Sequence, residues 1–305
     1  MVTSTGIPFY IVDVFATTRY TGNPLVVFTE AAAMTAEQML QIAREINFQE
    51  TTFVVGGSVE SGFDVRIFTP EYEVPFAGHP TLGTAYVLAK QAEQIGDVPL
   101  RLNLPVGRIL VNWQADSLWL GTTTPRFGPL FSHAEMASLL HLPADALITD
   151  KPIEWVSTGL PYLIVPIRSL SAMQSIRLDT EAVEKWLLDK QLHTNTSPDG
   201  LTTAFYCYCE ETYGTDNQLN ARMFCLERGK IVEDYATGSA ASCLLAYLVK
   251  QRSPETSRTH VRLEQGYEAG RPSLIELDGS IDEQGQYHLR IGGQVHFVAK
   301  GEWMV

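Results

Sequence analysis

The sequence predicts an α+β fold of two similar halves, each a curled, mostly antiparallel sheet around a central buried helix. Three observations carry this expectation. Short strand-like runs dominate the chain, spaced as in antiparallel sheets that close on themselves rather than as alternating βαβ units. Two helical stretches, PTLGTAYVLAK (80–90) and GSAASCLLAYLVK (238–250), are apolar nearly all round. A helix without a polar face must be buried on most sides. The same two stretches also repeat: AGHPTLGTAYVLAK (77–90) lies over TGSAASCLLAYLVK (237–250), matching Gly78 to Gly238, Leu88 to Leu248 and Lys90 to Lys250. Upstream, RIF at 66–68 echoes RMF at 222–224. A repeat at about half the chain length reads as two copies of one architecture facing each other.

The elements follow in order. FYIVDVF (9–15), PLVVF (24–28), TTFVV (51–55) and FDVRIF (63–68) are the first strands, then LRLNL (100–104), ILVNW (109–113) and SLWLG (117–121). LRLNL alternates apolar and polar residues, the mark of a strand with one buried face. The second half holds YLIVPI (162–167), TAFYCYC (203–209), ARMFCL (221–226), HVRLE (260–264), SLIEL (273–277), YHLRI (287–291) and QVHFVA (294–299). TAEQMLQIAREI (35–46) opens with Thr35 three residues before Gln38, a capping box. Ser132 and Glu135 open a short helix, and DTEAVEKWLLDK (179–190) is amphipathic. TTTPRFGPLFSH (122–133), with two prolines, reads as the crossover between halves, and HTNTSPDG (193–200) as an exposed loop. The expected domains are residues 1–124 with the C-terminal strands at about 290–305, and residues 125–289.

Composition excludes several classes. In 305 residues, 45% are hydrophobic and 19% charged, so the chain can bury a core and is neither disordered nor a coiled coil. The net charge of -13, with no basic cluster, argues against nucleic acid and against an anionic membrane surface as partners. No apolar run approaches a membrane span. The first cation is Arg19, so there is no basic leader region and no signal peptide is expected. Four cysteines make no disulfide framework, and Cys207 and Cys209, alternating on a strand, read as core thiols. A reducing, cytoplasmic setting is expected.

Candidate chemistry gathers at the two repeated helix starts. Both open in Gly-containing turns, FAGHPTLGTA and YATGSAAS. Helix N-termini offer unpaired N–H groups and partial positive charge to a carboxylate or phosphate. Thr237 and Ser239 flank Gly238 with hydroxyls that serve as donors or caps. His79 lies in the first helical turn, Asp234 just before the second turn, and Glu50 at the edge of the apolar strand TTFVV. A carboxylate, an imidazole and a second carboxylate suffice for proton abstraction and return. Each also has a plain structural reading: Glu50 pairing with an arginine, His79 capping its helix, Asp234 capping a turn. No P-loop, dinucleotide fingerprint, HExxH or GxSxG motif competes.

The segments DVFATTRYTGNPLVVF (13–28), AREINFQETTFV (43–54), RIFTPEYEVPFAGHPTLGTA (66–85), STGLPYLIVPI (157–167), VEDYATGSAAS (232–242), EQGYEAGRPS (264–273) and VHFVAKGEW (295–303) closely resemble the phenazine-biosynthesis PhzF-like family, which shares the diaminopimelate epimerase fold. The resemblance runs almost end to end. It implies a homodimer, no cofactor, no metal, and a small-molecule carboxylate substrate bound in a cleft between two domains. The family's characterised activity is isomerisation of trans-2,3-dihydro-3-hydroxyanthranilate. Its catalytic Glu falls on Glu50, its GHP histidine on His79 and its ED-x-ATGS aspartate on Asp234, while Gly78 and Ser239 match substrate-contacting positions. Departures sit beside these residues: Tyr235 where a proline is usual, Gln49 where serine is frequent, and Phe48 in place of an aliphatic.

Related epimerases use two cysteines, one from each half. Neither helix start carries a thiol here, and Cys243 lies a turn further in, which disfavours that chemistry. The expected mechanism has Glu50, its pKa raised by desolvation, shuttling a proton along a conjugated ring system. His79 and Asp234 then hold the amino and hydroxyl groups. The alternatives are an epimerase or racemase of another small carboxylate, and a non-catalytic binding protein on the same fold.

Overall fold

The computed structural model describes residues 6–93, 98–251 and 258–305. Residues 1–5, the start of the stretch read for a leader, lie outside it. The chain divides into two compact units, Met1–Gly121 with Gly292–Val305, and Thr122–Ile291. In chain order the first unit holds β1 (Gly6–Val14), β2 (Asn23–Phe28), α1 (Ala36–Ile46), β3 (Thr51–Ser58), β4 (Gly62–Phe68), β5 (Glu73–Val74), α2 (Gly78–Gln91), β6 (Leu100–Leu104), β7 (Gly107–Gln114) and β8 (Ser117–Gly121). The second opens with β9 (Arg126–Phe131), α3 (His133–Leu139), β10 (Ile153–Ser157), β11 (Pro161–Pro166), α4 (Leu170–Ser175) and α5 (Thr180–Asp189). It continues with β12 (Ala204–Cys209), β13 (Leu219–Glu227), β14 (Lys230–Asp234), α6 (Gly238–Gln251), β15 (Thr259–Gln265), β16 (Ser273–Ile281) and β17 (Tyr287–Gly293), after which β18 (Val295–Met304) returns to the first unit.

The repeat seen in the sequence is a repeat of topology. In the first unit β18, β1 and β2 pair antiparallel, β2 and β3 parallel, β3 and β4 antiparallel, β4 and β6 parallel, then β6, β7 and β8 antiparallel. In the second, β9, β10 and β11 pair antiparallel, β11 and β12 parallel, β12 and β13 antiparallel, β13 and β15 parallel, then β15 and β16 antiparallel. A parallel neighbour needs a crossover of a dozen or more residues, usually a helix. Here α1 and α2 bridge the parallel pairs of the first unit; α4 with α5, and α6, bridge those of the second.

The two apolar helices take the buried places predicted for them. Helix α2 packs against β1, β2, β3, β6, β7, β8 and β18, and α6 against β10, β11, β15 and β16. Their cations lie at the C-terminal ends: Lys90 and Lys250 sit in the last turns, where a cation suits the helix dipole. The bridging helices pack elsewhere on the sheets. Helix α1 covers β3 and β4, starting at the predicted capping box of Thr35 and Gln38 and ending at Asn47 in the left-handed region. Between it and the sheet lies an aromatic cluster, with Phe28 stacked on Phe53 at 5.0 Å and Phe68 edge-on to Phe53. The second unit buries Val183, Trp186 and Leu187 of α5 among strand residues, with Cys207 and Cys209 in that apolar core. Among the described residues no helix is long and apolar enough to cross a membrane.

The RIF and RMF echo is a repeated ion-pair motif. Arg66 of β4 grips Glu73 of β5 through Nε and Nη2, and lies 5.1 Å above the Phe68 ring. Arg222 of β13 grips Glu233 of β14 in the same bidentate way, 4.8 Å above Phe224. Val74, opposite Ile67, thus holds the place that Asp234, opposite Met223, holds in the second unit.

One expectation is corrected. Residues 122–133 are not a plain crossover, because β9 forms there and pairs with β10. The ladder skips between Glu154 and Val156, where Gly128 and Pro129 lie opposite. An irregular register tolerates proline, and a Cβ on Gly128 would meet the Trp155 ring at 2.7 Å.

Candidate active site

In the first unit the candidate residues Glu50 and His79 meet where β3 and α2 begin. Glu50 immediately precedes β3, and His79 is the second residue of α2. Glu50 Oε2 lies 3.5 Å from His79 Nε2, with side chains 18% and 6% exposed. Burial pulls the His79 pKa down to about 3, so near neutral pH the contact joins an imidazole to a carboxyl group and is no ion pair. His79 does not cap its helix. The N-cap is Ala77, which has no side chain to give, and Gly78 follows it. Thr81 turns its hydroxyl back onto the Ala77 carbonyl at 2.7 Å. Gln49 is tied at 3.5 Å to Asn23, which is fully buried at the start of β2. Phe48 packs on the aromatic cluster. These contacts anchor the segment that presents Glu50.

In the second unit Asp234 ends β14 and is 4% exposed. Burial lifts its pKa to about 6, against the hydrogen bonds it accepts from the Thr237 hydroxyl and from the N–H groups of Tyr235 and Ala236. Asp234 therefore caps its turn, and the same turn carries Gly238 and the first residues of α6. Thr237 Oγ1 reaches Asp234 Oδ2 at 2.5 Å. Ser239 lies 2.7 Å from the hydroxyl of Tyr162 on β11. Tyr162 is 4% exposed, and burial drives its pKa well above the ordinary tyrosine value. Tyr235 lies under the Arg271 guanidinium.

Two partners here were invisible to sequence reasoning. Gln265, the last residue of β15, is fully buried and bonds to Thr237 and to the Asp234 carbonyl. Tyr162 sits in the quoted segment STGLPYLIVPI, yet nothing in a strand-like run marks a hydroxyl that reaches α6. Cys243 holds a different position. It is buried, 3.4 Å from Thr158 Oγ1, and burial pushes its thiol up to about 12. Such a thiol is a poor base and a poor nucleophile.

A family model described as phenazine biosynthesis-like protein matches residues 12–301. The chain belongs to that family. It is 32% identical, over 97% of this chain and 98% of the other, to an uncharacterized isomerase of Mesorhizobium japonicum. It is 30% identical, over 88% of each chain, to trans-2,3-dihydro-3-hydroxyanthranilate isomerase of Pseudomonas aeruginosa. Among solved structures, a PhzF-family phenazine biosynthesis protein from Bacillus anthracis superposes with a TM-score of 0.85 at 24% identity, covering 99% of this chain and 100% of that one. A hydroxyproline epimerase from Agrobacterium vitis shares the fold at a TM-score of 0.61 and 10% identity, covering 100% of this chain and 94% of that one. The protein is a member of the phenazine biosynthesis-like family with the diaminopimelate epimerase-like fold, and an isomerase by its relatives.

Proposed function

We propose that this phenazine biosynthesis-like protein is a cofactor-independent isomerase. It moves a proton between carbons of a small cyclic amino or hydroxy carboxylate, in the manner of trans-2,3-dihydro-3-hydroxyanthranilate isomerase. The observation that carries the reading is Glu50 facing a buried, neutral imidazole across 3.5 Å. A carboxylate with one buried oxygen beside a neutral imidazole is suited to take a proton from carbon and give it back.

In this reading Glu50 removes a proton from a C–H next to the conjugated double bonds. The electron pair moves through the conjugated system, and the protonated Glu50 returns the proton to a carbon further along the same face. The carboxylate ends as it began, so no redox partner is needed. His79 and Asp234 hold the amino and hydroxyl groups. Helix-start N–H groups receive the substrate carboxylate, with Gly78, Thr237, Gly238 and Ser239 as the proposed binding residues. The inert Cys243 supports carboxylate chemistry over a two-thiol racemase. A homodimer in a cytoplasmic setting completes the proposal.

The test is proton exchange. Protein is incubated in D₂O with trans-2,3-dihydro-3-hydroxyanthranilate and a panel of small amino and hydroxy carboxylates, beside Glu50→Gln. Deuterium entry with a shifted double bond, lost in Glu50→Gln while binding persists, is the expected result. Exchange that survives in Glu50→Gln moves the base elsewhere. Deuterium at a stereocentre with inverted configuration makes the protein an epimerase. Binding of panel members without exchange makes it a binding protein on the same fold.

A further inference from the structure

We propose that Gln265 is a positioning residue of this site: it sets the direction in which the Thr237 hydroxyl donates, so that Asp234 is held as a charged acceptor. The proposal rests on the functional reading above for its role in turnover. Its geometry lies wholly in the second unit.

The polarity of the amide follows from chemistry alone. The backbone N–H of Thr237 can only donate, and it lies 3.2 Å from Gln265 Oε1. The backbone carbonyl of Asp234 can only accept, and it lies 3.0 Å from Gln265 Nε2. The amide therefore has one orientation. Its oxygen also accepts from the Tyr206 hydroxyl at 2.9 Å. The second hydrogen of Nε2 points at Thr237 Oγ1, 3.0 Å away. Thr237 Oγ1 thus accepts from Gln265, and its own hydrogen is left to donate to Asp234 Oδ2 at 2.5 Å. Tyr206, Gln265, Thr237 and Asp234 form one directed chain ending on a carboxylate oxygen.

A donor aimed at a carboxylate oxygen favours the ionised form. Buried at 4% exposure, Asp234 needs that help, because desolvation alone favours the neutral acid. Two kinds of ionisable group face it without supporting its charge. Glu227 at the end of β13 repels it, and Tyr206 of β12 and Tyr162 of β11 are buried phenols whose pKa values lie well above 10. Gln265 and Tyr206 are both fully buried, so solvent does not compete for the relay. An ionised Asp234 can accept from a substrate amino or hydroxyl group; a protonated one spends its hydrogen where the acceptor is needed.

The experiment is a ¹³C NMR titration of the Asp234 carboxyl in the substrate-free protein, beside Gln265→Met, Thr237→Val and Thr237→Ser. The expected result is a rise in the Asp234 pKa of about one unit in Gln265→Met and in Thr237→Val, the size of one lost hydrogen bond to a charged group. Thr237→Ser, which keeps the hydroxyl, stays at the parent value. The acid limb of the pH–rate profile moves up with the titration. If Gln265→Met proves unstable, Gln265→Glu, which when neutral has one hydrogen to share between two acceptors, serves in its place. An unchanged titration in both Gln265→Met and Thr237→Val overturns the relay. A shifted titration with an unmoved rate profile overturns the positioning role. An inactive parent protein with a shifted titration sinks the isomerase reading and leaves the relay standing.

Discussion

The two units share one topology and put opposite chemistry on it. At the start of α2 stand Ala77, Gly78 and His79; at the start of α6 stand Thr237, Gly238 and Ser239. The first turn has a buried imidazole and no side-chain cap, whereas the second is hydroxyl-rich and tied to Gln265 and Tyr162. The carboxylates are not equivalent either. Glu50 precedes β3, and the residue before β12 is Thr203, bonded to Trp155. Asp234 ends β14, and the residue in its place at the end of β5 is Val74. The frame repeats, and the candidate reactive groups stand at different positions in each copy. In the proposed mechanism the first unit supplies the proton transfer and the second holds polar groups.

The largest expected effect separates those roles. Glu50→Gln should lower turnover by about 10²–10⁴-fold, the range of a lost general base, with little change in substrate affinity. Asp234→Asn keeps the shape, so its main effect should be a raised KM. Single-turnover deuterium exchange and equilibrium binding on both variants check this. An equal loss of kcat in the two, with affinity intact, would erase the contrast.

The twin arginine clamps give the next contrast. Arg222 is 8% exposed at its side chain and also donates to the Met173 carbonyl at 2.7 Å; Arg66 is 30% exposed. Removing one partner of a buried pair strands the other charge and costs about 3–5 kcal/mol, against about 1 kcal/mol or less for an exposed pair. Arg222→Ala should therefore destabilise far more than Arg66→Ala in urea unfolding. Equal losses would mean that both clamps act as surface pairs.

The units should also answer acid in opposite senses. His79 titrates near 3 in the fold and near 6.5 when unfolded, so it contributes stability above pH 6.5 that is lost as pH falls toward 3. Asp234 titrates near 6 folded and near 3.8 unfolded, so its contribution is present below 3.8 and lost as pH rises through 6. Between pH 6.5 and 5, His79 alone should cost about 2 kcal/mol. His79→Asn should flatten that loss, and Asp234→Asn should steepen it. Thermal unfolding at pH 5, 6 and 7 distinguishes the two, and parallel pH curves for both variants would refute the opposition.

The parts of this architecture that sequence reading recovered are those whose signal is local or periodic. An all-apolar helix, a capping box at Thr35 and Gln38, and a repeated RIF and RMF need no third dimension to be seen. The proposed acid–base residues could be picked out because each lies next to such a signal. Strand β9 was hidden by Pro129 and Gly128, which punctuate loops in most settings and are tolerated here by a skipped register under Trp155. Strand β14 was hidden by its charge: Lys230, Glu233 and Asp234 are three of its five residues. Gln265 was hidden for a different reason: a glutamine in a strand carries no pattern, and its role comes from folding against a turn 28 residues earlier in the chain.

The smallest contrast lies inside the two central helices. Aligning the repeat sets Gly83 of α2 against Cys243 of α6. A Cβ at Gly83 would come within 2.6 Å of Leu25 Cδ2 and 2.9 Å of Val14 Cγ2, both in the fully buried core. Cys243 instead has room for a whole thiol, near Thr158 and the Leu160 carbonyl. Gly83→Ala gains about 1 kcal/mol of helix propensity, yet overpacking costs about 1–3 kcal/mol, so the net should be destabilising by about 1 kcal/mol. Cys243→Ala should cost less, about 0.5 kcal/mol, since one weakly bonded sulfur is lost without a clash. Urea midpoints at constant m-value test both, and a stabilised Gly83→Ala would mean that the sheet around α2 can relax where its core packing says it cannot.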